Sequence, residues 1–388
     1  MTAISAFACS ENRGSEHELG WKCLKELAAN SSEVHLFTIS RVNPDIAEQI
    51  KRNNLSHIQV HLIDFPFRLD RLLTSIPGAG YQAMAYLWEF LLFIHMWTRF
   101  EAGQFDLGVK STYGSYRWPS FLWYYSKELH LDPISGGGRF PFRFRSFFSP
   151  KACRKEVFRQ IMQRAALFDP FVLLTLAKAR KLHAGNAATK KIMPQFAQRK
   201  CVVKSDFLHV EAKDFSIGEA RQNCQLDASV LRIFQTGKLL EWKGVMIILR
   251  ALAKLPERVQ YEYTVMGDGP ALELYRDFVA AHGLNVRFVD PTDVPRRDLS
   301  FYFLANDLFT FPTLHGESGY APVEAKLHGM RLLTLDFSGL EDILTDEDIC
   351  ISTEGKSAEE VVTDITEQIA QLHHLLKSHP ESLASSAG

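Results

Sequence analysis

The sequence predicts an α/β protein made of two domains, each with a parallel sheet. Short apolar runs of strand length alternate with longer helical patterns from one end of the chain to the other. Glycine-containing loops follow several of these runs on the carboxyl side, the edge at which open parallel sheets bind ligands. The 388 residues, 46% hydrophobic and 23% charged, exceed what one hydrophobic core ordinarily organises. A first domain over residues 1–204 and a second over 205–388 are therefore expected. The charged, weakly periodic stretch 201–227 reads as the linker.

In the first half, residues 3–8, 34–38, 58–63 and 105–109 read as strands. The loop after the first strand carries Gly14, Ser15 and Glu16 at a ligand-binding edge and leads into a helix through Leu27. Residues 81–97 form the most apolar run. They include Gln82, Glu89 and His95 and fall short of the ~20 residues of a membrane span, so they read as a buried or interfacial helix. Lys110 stands just past the strand 105–109. Further on, Gly136, Gly137 and Gly138 let the backbone approach a ligand closely, with Arg139 beside them. Residues 170–195 supply helix and strand that close this domain.

The second half opens with a strand at 231–236, the loop GKLLEWKG at 237–244 and a helix at 245–255. Lys238 and Lys243 flank that loop, and two cations at a strand end can clamp a diphosphate. Lysine keeps the charge but lacks arginine's directional fork. The turn Gly267-Asp268-Gly269-Pro270 is structural, with Pro270 opening the next helix. Strands at 307–311 and 331–335 then enclose the stretch PTLHGESGYAPVEAKLHG, in which a helix starts near Tyr320. The free N–H groups and positive dipole end of that helix favour an anion at Ser318 and Gly319. Glu324, in the first turns, can accept hydrogen bonds from neighbouring hydroxyls. Anion and polyol together describe a nucleotide sugar. Asp346, Glu347 and Asp348 read as solvated acids of a turn, with no metal expected.

The order and spacing of these motifs resemble the retaining glycosyltransferases of the GT-B fold, family 4, also called glycosyl transferases group 1. The likeness spans nearly the whole chain and is most specific from Gly237 to Gly339. It implies two Rossmann-like domains facing a cleft, the first on the acceptor side and the second holding the donor. In that family two glutamates with seven residues between them hold the donor, the first facing the sugar and the second the ribose. Here six residues lie between Glu317 and Glu324. Glu324 matches the second glutamate, and either Glu317 or His315 takes the first place. By the same resemblance Lys238, Lys243, His315 and Glu317 are the catalytic candidates. Gly237, Ser318, Gly319, Tyr320, Glu324, Gly14, Ser15 and Glu16 are expected at the donor, and Gly136, Gly137, Gly138, Arg139 and Lys110 on the acceptor side. The implied reaction is transfer of a sugar, with retained configuration and without a metal, from a UDP- or GDP-sugar co-substrate. Displacement of the family's usual residues keeps open a nucleotide-sugar-binding protein that no longer catalyses.

Forty-four basic against forty-five acidic residues exclude bulk attraction to nucleic acid or membrane. The exception is local. Residues 139–164 hold eight cations (Arg139, Arg143, Arg145, Lys151, Arg154, Lys155, Arg159 and Arg164) against the single acid Glu156, with Phe140, Phe142, Phe144, Phe147 and Phe148 interleaved. This segment is compatible with a lipid-linked acceptor at a membrane surface, with a nucleic-acid acceptor, or with a solvated helix face beside core phenylalanines. An acceptor glycan is the remaining partner expected. The six cysteines form no C-x-x-C pair, and residues 1–9 lack a basic leader. The expected location is cytoplasmic, with peripheral contact at the inner face of the membrane.

Overall fold

The computed structural model of the protein describes residues 1–11, 15–74, 80–203, 229–295, 298–315, 319–340 and 342–378. The chain forms two compact units, Met1–Gly138 with Gln160–Asp206, and Arg139–Arg159 with Phe207–Gly388. The sequence reading placed one break after residue 204. In the structure Arg139–Arg159 is grouped with the second unit instead. The cause is hydrophobic: Phe140, Phe144, Phe147 and Phe148 are buried in the core that contains Val245, Ile248 and Leu249.

The first unit is built on β1 (Thr2–Ser5), β2 (Val34–Thr38), β3 (Ile58–Leu62), β4 (Phe105–Lys110), β5 (Ser126–Ile134), β6 (Lys181–Ala184) and β7 (Cys201–Val203). Their order is β3-β2-β1-β4-β5-β6-β7, and every pairing between them is parallel. The order reverses between β1 and β4, so a crevice opens at their carboxyl ends. Cys201–Val203, read from sequence as the start of a linker, is the edge strand of this sheet, and residues 204–228 lie outside the described part. The helix Gly80–Trp97 lays Met84, Trp88, Leu92 and Met96 into the core at the spacing of one helix face. Among the described residues no helix is long and apolar enough to cross a membrane.

The second unit repeats the plan with β8 (Leu231–Thr236), β9 (Tyr261–Met266), β10 (Val286–Val289), β11 (Leu308–Phe311), β12 (Arg331–Leu335) and β13 (Ile349–Ile351). The order is β10-β9-β8-β11-β12-β13, again with parallel pairings. Its switch point lies between β8 and β11. The helix Val245–Leu252 buries every residue except Arg250, which explains its unbroken apolar sequence. Sequence reading missed β13 and left Asp348 in solvent. In fact the side chain of Asp348 is buried and accepts hydrogen bonds from Lys326 Nζ at 2.8 Å, Leu332 N at 2.8 Å and Thr345 N at 2.7 Å. A lone acid beside strand termini carries no local signal of this capping role.

Candidate active site

Two loops leave the carboxyl ends of β8 and β11 at the switch point of the second sheet, and they touch. Gly244 closes the first with φ +79°, and a Cβ placed there would lie 2.1 Å from the Pro312 carbonyl oxygen of the second. Only glycine allows both that conformation and that approach. Leu314 N–H donates to the Trp242 carbonyl at 2.8 Å. Beneath them, Gln235 donates through Nε2 to the Lys243 carbonyl at 3.1 Å. Its Oε1 accepts from Tyr263 Oη at 2.7 Å and Thr310 Oγ1 at 3.0 Å. This buried network holds the Lys243 backbone on the sheet.

The Lys243 ammonium lies 4.4 Å from the centre of the Trp242 ring and 5.2 Å from that of Phe311. Two aromatic faces therefore attract and position the charge. Lys238 is exposed at the opening of the same loop, next to Gly237. The Gly267–Pro270 turn abuts this loop through backbone alone: Leu239 N–H donates to the Asp268 carbonyl at 3.0 Å and Ala271 N–H to the Leu239 carbonyl at 3.1 Å. That agrees with its reading as a structural turn.

His315 is buried, its ring stacked on Trp242 with centres 4.2 Å apart and planes at 13°. Its Nε2 lies 2.7 Å from the Glu156 carboxylate, which also accepts from Arg159 Nε at 2.9 Å. Burial by itself would push the Glu156 carboxyl up. The hydrogen bond and charge of His315, together with Arg159, outweigh it and hold the group below its ordinary value. The helix Tyr320–Leu327 begins at Gly319, which has extended backbone and supplies no side-chain cap to the first N–H groups. Glu324 is buried in this helix. Glu317 and Ser318, like Gly14, lie outside the described residues. A positioned ammonium and a helix N-terminus thus both lie against the Phe311 ring at the end of β11, with a buried carboxylate further along the same helix. This set can bind an anion attached to a polyol.

In the first unit, Ser15 starts the helix Ser15–Asn30, and the Glu16 carboxylate accepts from Tyr113 N–H at 2.9 Å. Ala8 N–H donates to Thr112 Oγ1 at 2.9 Å, so the loops after β1 and β4 are tied together. Lys110, read as an acceptor-side contact, is buried, with Nζ 2.8 Å from Glu89 and 2.7 Å from the Pro119 carbonyl. Its ammonium belongs to an internal ion pair. The glycine triplet also serves packing. A Cβ on Gly137 would lie 2.3 Å from Thr189 Cα, and Gln163 Nε2 donates to the carbonyls of Gly136 at 2.6 Å and Gly138 at 3.0 Å. The close approach is to the protein's own backbone, and Arg139 beside it is exposed.

Sequence reasoning assigned no role to Glu156, Gln235, Trp242 or Phe311. The one available signal was that Glu156 is the only acid in a run of cations.

Residues 217–377 match the family described as "Glycosyl transferases group 1". Over 107 residues the chain is 31% identical to the 2-deoxystreptamine glucosyltransferase of Streptomyces kanamyceticus, an alignment covering 27% of this chain and 28% of that relative. The chain thus spans little more than a quarter of the length of the curated relatives it matches. Solved structures align over nearly all of it. WaaG, a glycosyltransferase involved in lipopolysaccharide biosynthesis, superposes with a TM-score of 0.59 at 16% identity, covering 100% of this chain and 94% of that one. Anabaena Alr3699/HepE in complex with UDP superposes with a TM-score of 0.56 at 17% identity, covering 99% and 100%. Two parallel α/β units of matching strand order, each with its switch point, give this protein the GT-B fold of glycosyltransferases, and its second unit carries the match to glycosyl transferases group 1.

Proposed function

We propose that the protein is a retaining, metal-independent glycosyltransferase that moves a sugar from a nucleoside-diphosphate sugar to an acceptor hydroxyl. The observation that carries this reading is the Lys243 ammonium held over Trp242 and Phe311 at the switch point of the second sheet. Beside it, in the partner loop, the helix Tyr320–Leu327 opens without a side-chain cap from Gly319. Negative charge grows on the diphosphate as its bond to the sugar breaks. A fixed cation and oriented N–H groups stabilise that charge without reorganising. Glu324 receives the ribose hydroxyls. His315, braced by Glu156, occupies the sugar end of the site. The acceptor oxygen attacks the face that the diphosphate leaves, and its proton passes to the departing phosphate oxygen, so no separate base is required. UDP is the nucleotide favoured, because Alr3699/HepE shares the fold and is solved with UDP. The acceptor is a glycan or a lipid-linked sugar.

Hydrolysis and transfer over a panel of nucleotide sugars, with and without EDTA, test the reading. One donor is expected to turn over, with EDTA without effect and the product anomer retained by NMR. Lys243→Ala is expected to lose about 2–3 kcal/mol of transition-state stabilisation, roughly 30- to 150-fold in kcat/KM. Unchanged turnover in that variant would remove Lys243 from the site. Donor binding without any turnover would show a protein that has kept the site and lost the chemistry.

A further inference from the structure

The helix Gly80–Trp97 is apolar on both sides. Its inner side fills the first unit's core with Met84, Trp88, Leu92 and Met96. Its outer side presents Leu87, Ile94 and Trp97 at 40%, 61% and 62% exposure, with Leu91 half-buried between them. The spacing 87, 91, 94, 97 places all four on one helix face. That face carries no charge, because Glu89, the one acid of the helix, is buried against Lys110. An ordinary surface helix shows polar residues outward, and this one does the opposite.

The patch continues past the helix with a graded polarity. Trp97 stacks on Tyr124 with centres 6.2 Å apart, and Tyr124 meets Trp123 at 6.0 Å. The Lys178 ammonium lies 5.8 Å over Trp123. Lys178 also lines a groove of about 500 Å³ with Lys127, Arg180 and Lys200; Glu128 is the one acid of its lining, and Asp106 pairs with Lys127 at 2.7 Å. Running outward from Leu87, the surface is first aliphatic, then Trp and Tyr, then cationic. That series matches the profile of a bilayer from acyl chains through the headgroup boundary to phosphate.

We propose that this face of the first unit docks on the surface of an anionic phospholipid bilayer. The side chains at Leu87, Ile94 and Trp97 enter the acyl boundary, and Lys178 and Arg180 meet lipid phosphates. The helix is inclined to the bilayer, with its Leu87 end the deeper and its Trp97 end towards the headgroups. A second copy of the chain is the poorer occupant, since it would need an acidic surface opposite the cationic groove. This docking stands apart from the donor reading: it requires lipid binding whether or not a sugar is transferred.

Flotation of the full chain with vesicles tests it, comparing phosphatidylcholine alone with a phosphatidylcholine–phosphatidylglycerol mixture. The wild type is expected to float with the anionic vesicles, and less so as salt rises. Ile94→Ser with Trp97→Ser is expected to lower the bound fraction at least about tenfold. Lys178→Gln with Arg180→Gln is expected to remove the preference for anionic vesicles. Neither pair belongs to the donor site, so donor hydrolysis and the thermal midpoint serve as folding controls. The proposal is overturned if the wild type fails to float with anionic vesicles, or if the serine pair floats equally well. It is equally overturned if sedimentation in the absence of lipid shows a dimer that the serine pair dissolves.

Discussion

Replacing Glu156 tests the least expected contact of the candidate site. Its carboxylate is 6% exposed and accepts from His315 Nε2 at 2.7 Å and Arg159 Nε at 2.9 Å, while His315 itself is 3% exposed. Glu156→Ala leaves a buried imidazole and a guanidinium without their acceptor. Removing one partner of a buried charged pair costs about 3–5 kcal/mol. For a unit of this size that corresponds to a thermal midpoint lower by roughly 6–20 °C. Glu156→Gln keeps the shape and one acceptor, and its cost is about 1.5–3 kcal/mol, as for loss of a charge-assisted hydrogen bond. The pH dependence follows from the depressed carboxyl. A group whose folded pKa lies below its unfolded value contributes fully above the ordinary value of 4.5 and loses that contribution as pH falls through the folded value. The gap between wild type and Glu156→Ala is therefore widest near neutrality and closes in acid. The assay is thermal unfolding of the full chain at neutral and acidic pH, with KM for the donor as a second readout. Loss of the brace behind His315 is expected to raise that KM. A midpoint within about 2 °C of wild type at neutral pH would refute the pair as a structural support.

Two further substitutions probe the loops and the first sheet. Gly244→Ala combines φ +79° with a Cβ 2.1 Å from the Pro312 carbonyl. It is expected to destabilise the second unit by more than ~2 kcal/mol in chemical denaturation, and a near-neutral result would mean that the Pro312 loop yields. In the first unit His61 Nε2 lies 3.0 Å from His35 Nδ1, with His95 and Arg99 nearby and Glu33 beside His35. Burial first, then the charges of His35, His95 and Arg99, depress His61 from 6.5 to about 4, and burial also lowers His35 and His95. The unfolded chain therefore binds more protons in this window, so stability is complete above pH 6.5 and is lost as pH falls towards about 4. His61→Phe is expected to flatten that acid limb of the thermal midpoint, and an unchanged limb would exclude His61 as its source.

The features legible in the sequence are local ones. Apolar runs of strand length and the glycines after them located β8 and β11, the loop from Gly237 to Gly244 and the helix that opens at Tyr320. Periodicity and turn chemistry depend on neighbours in the chain and can be read from them. The bland reading of the Gly267–Pro270 turn agrees with its backbone contacts for the same reason. The run 139–164 was legible as a cluster of charge but not in its placement: Phe140, Phe144, Phe147 and Phe148 belong to the second unit's core, whereas Phe142 and Phe158 stay exposed.

The sequence by itself determined the fold class, the duplicated parallel-sheet plan and the loops that border the β8/β11 crevice. Tertiary structure decided which isolated polar residues meet. Glu156 finds His315 across 159 positions of chain, Lys110 turns inward to Glu89, and Asp348 caps a strand rather than facing water. A buried charge must be matched by another group, yet the match is set by how layers pack and not by spacing along the chain. The same holds for the outer face of the helix Gly80–Trp97. Its residues are apolar on every side in the sequence, and only packing shows which side remains at the surface.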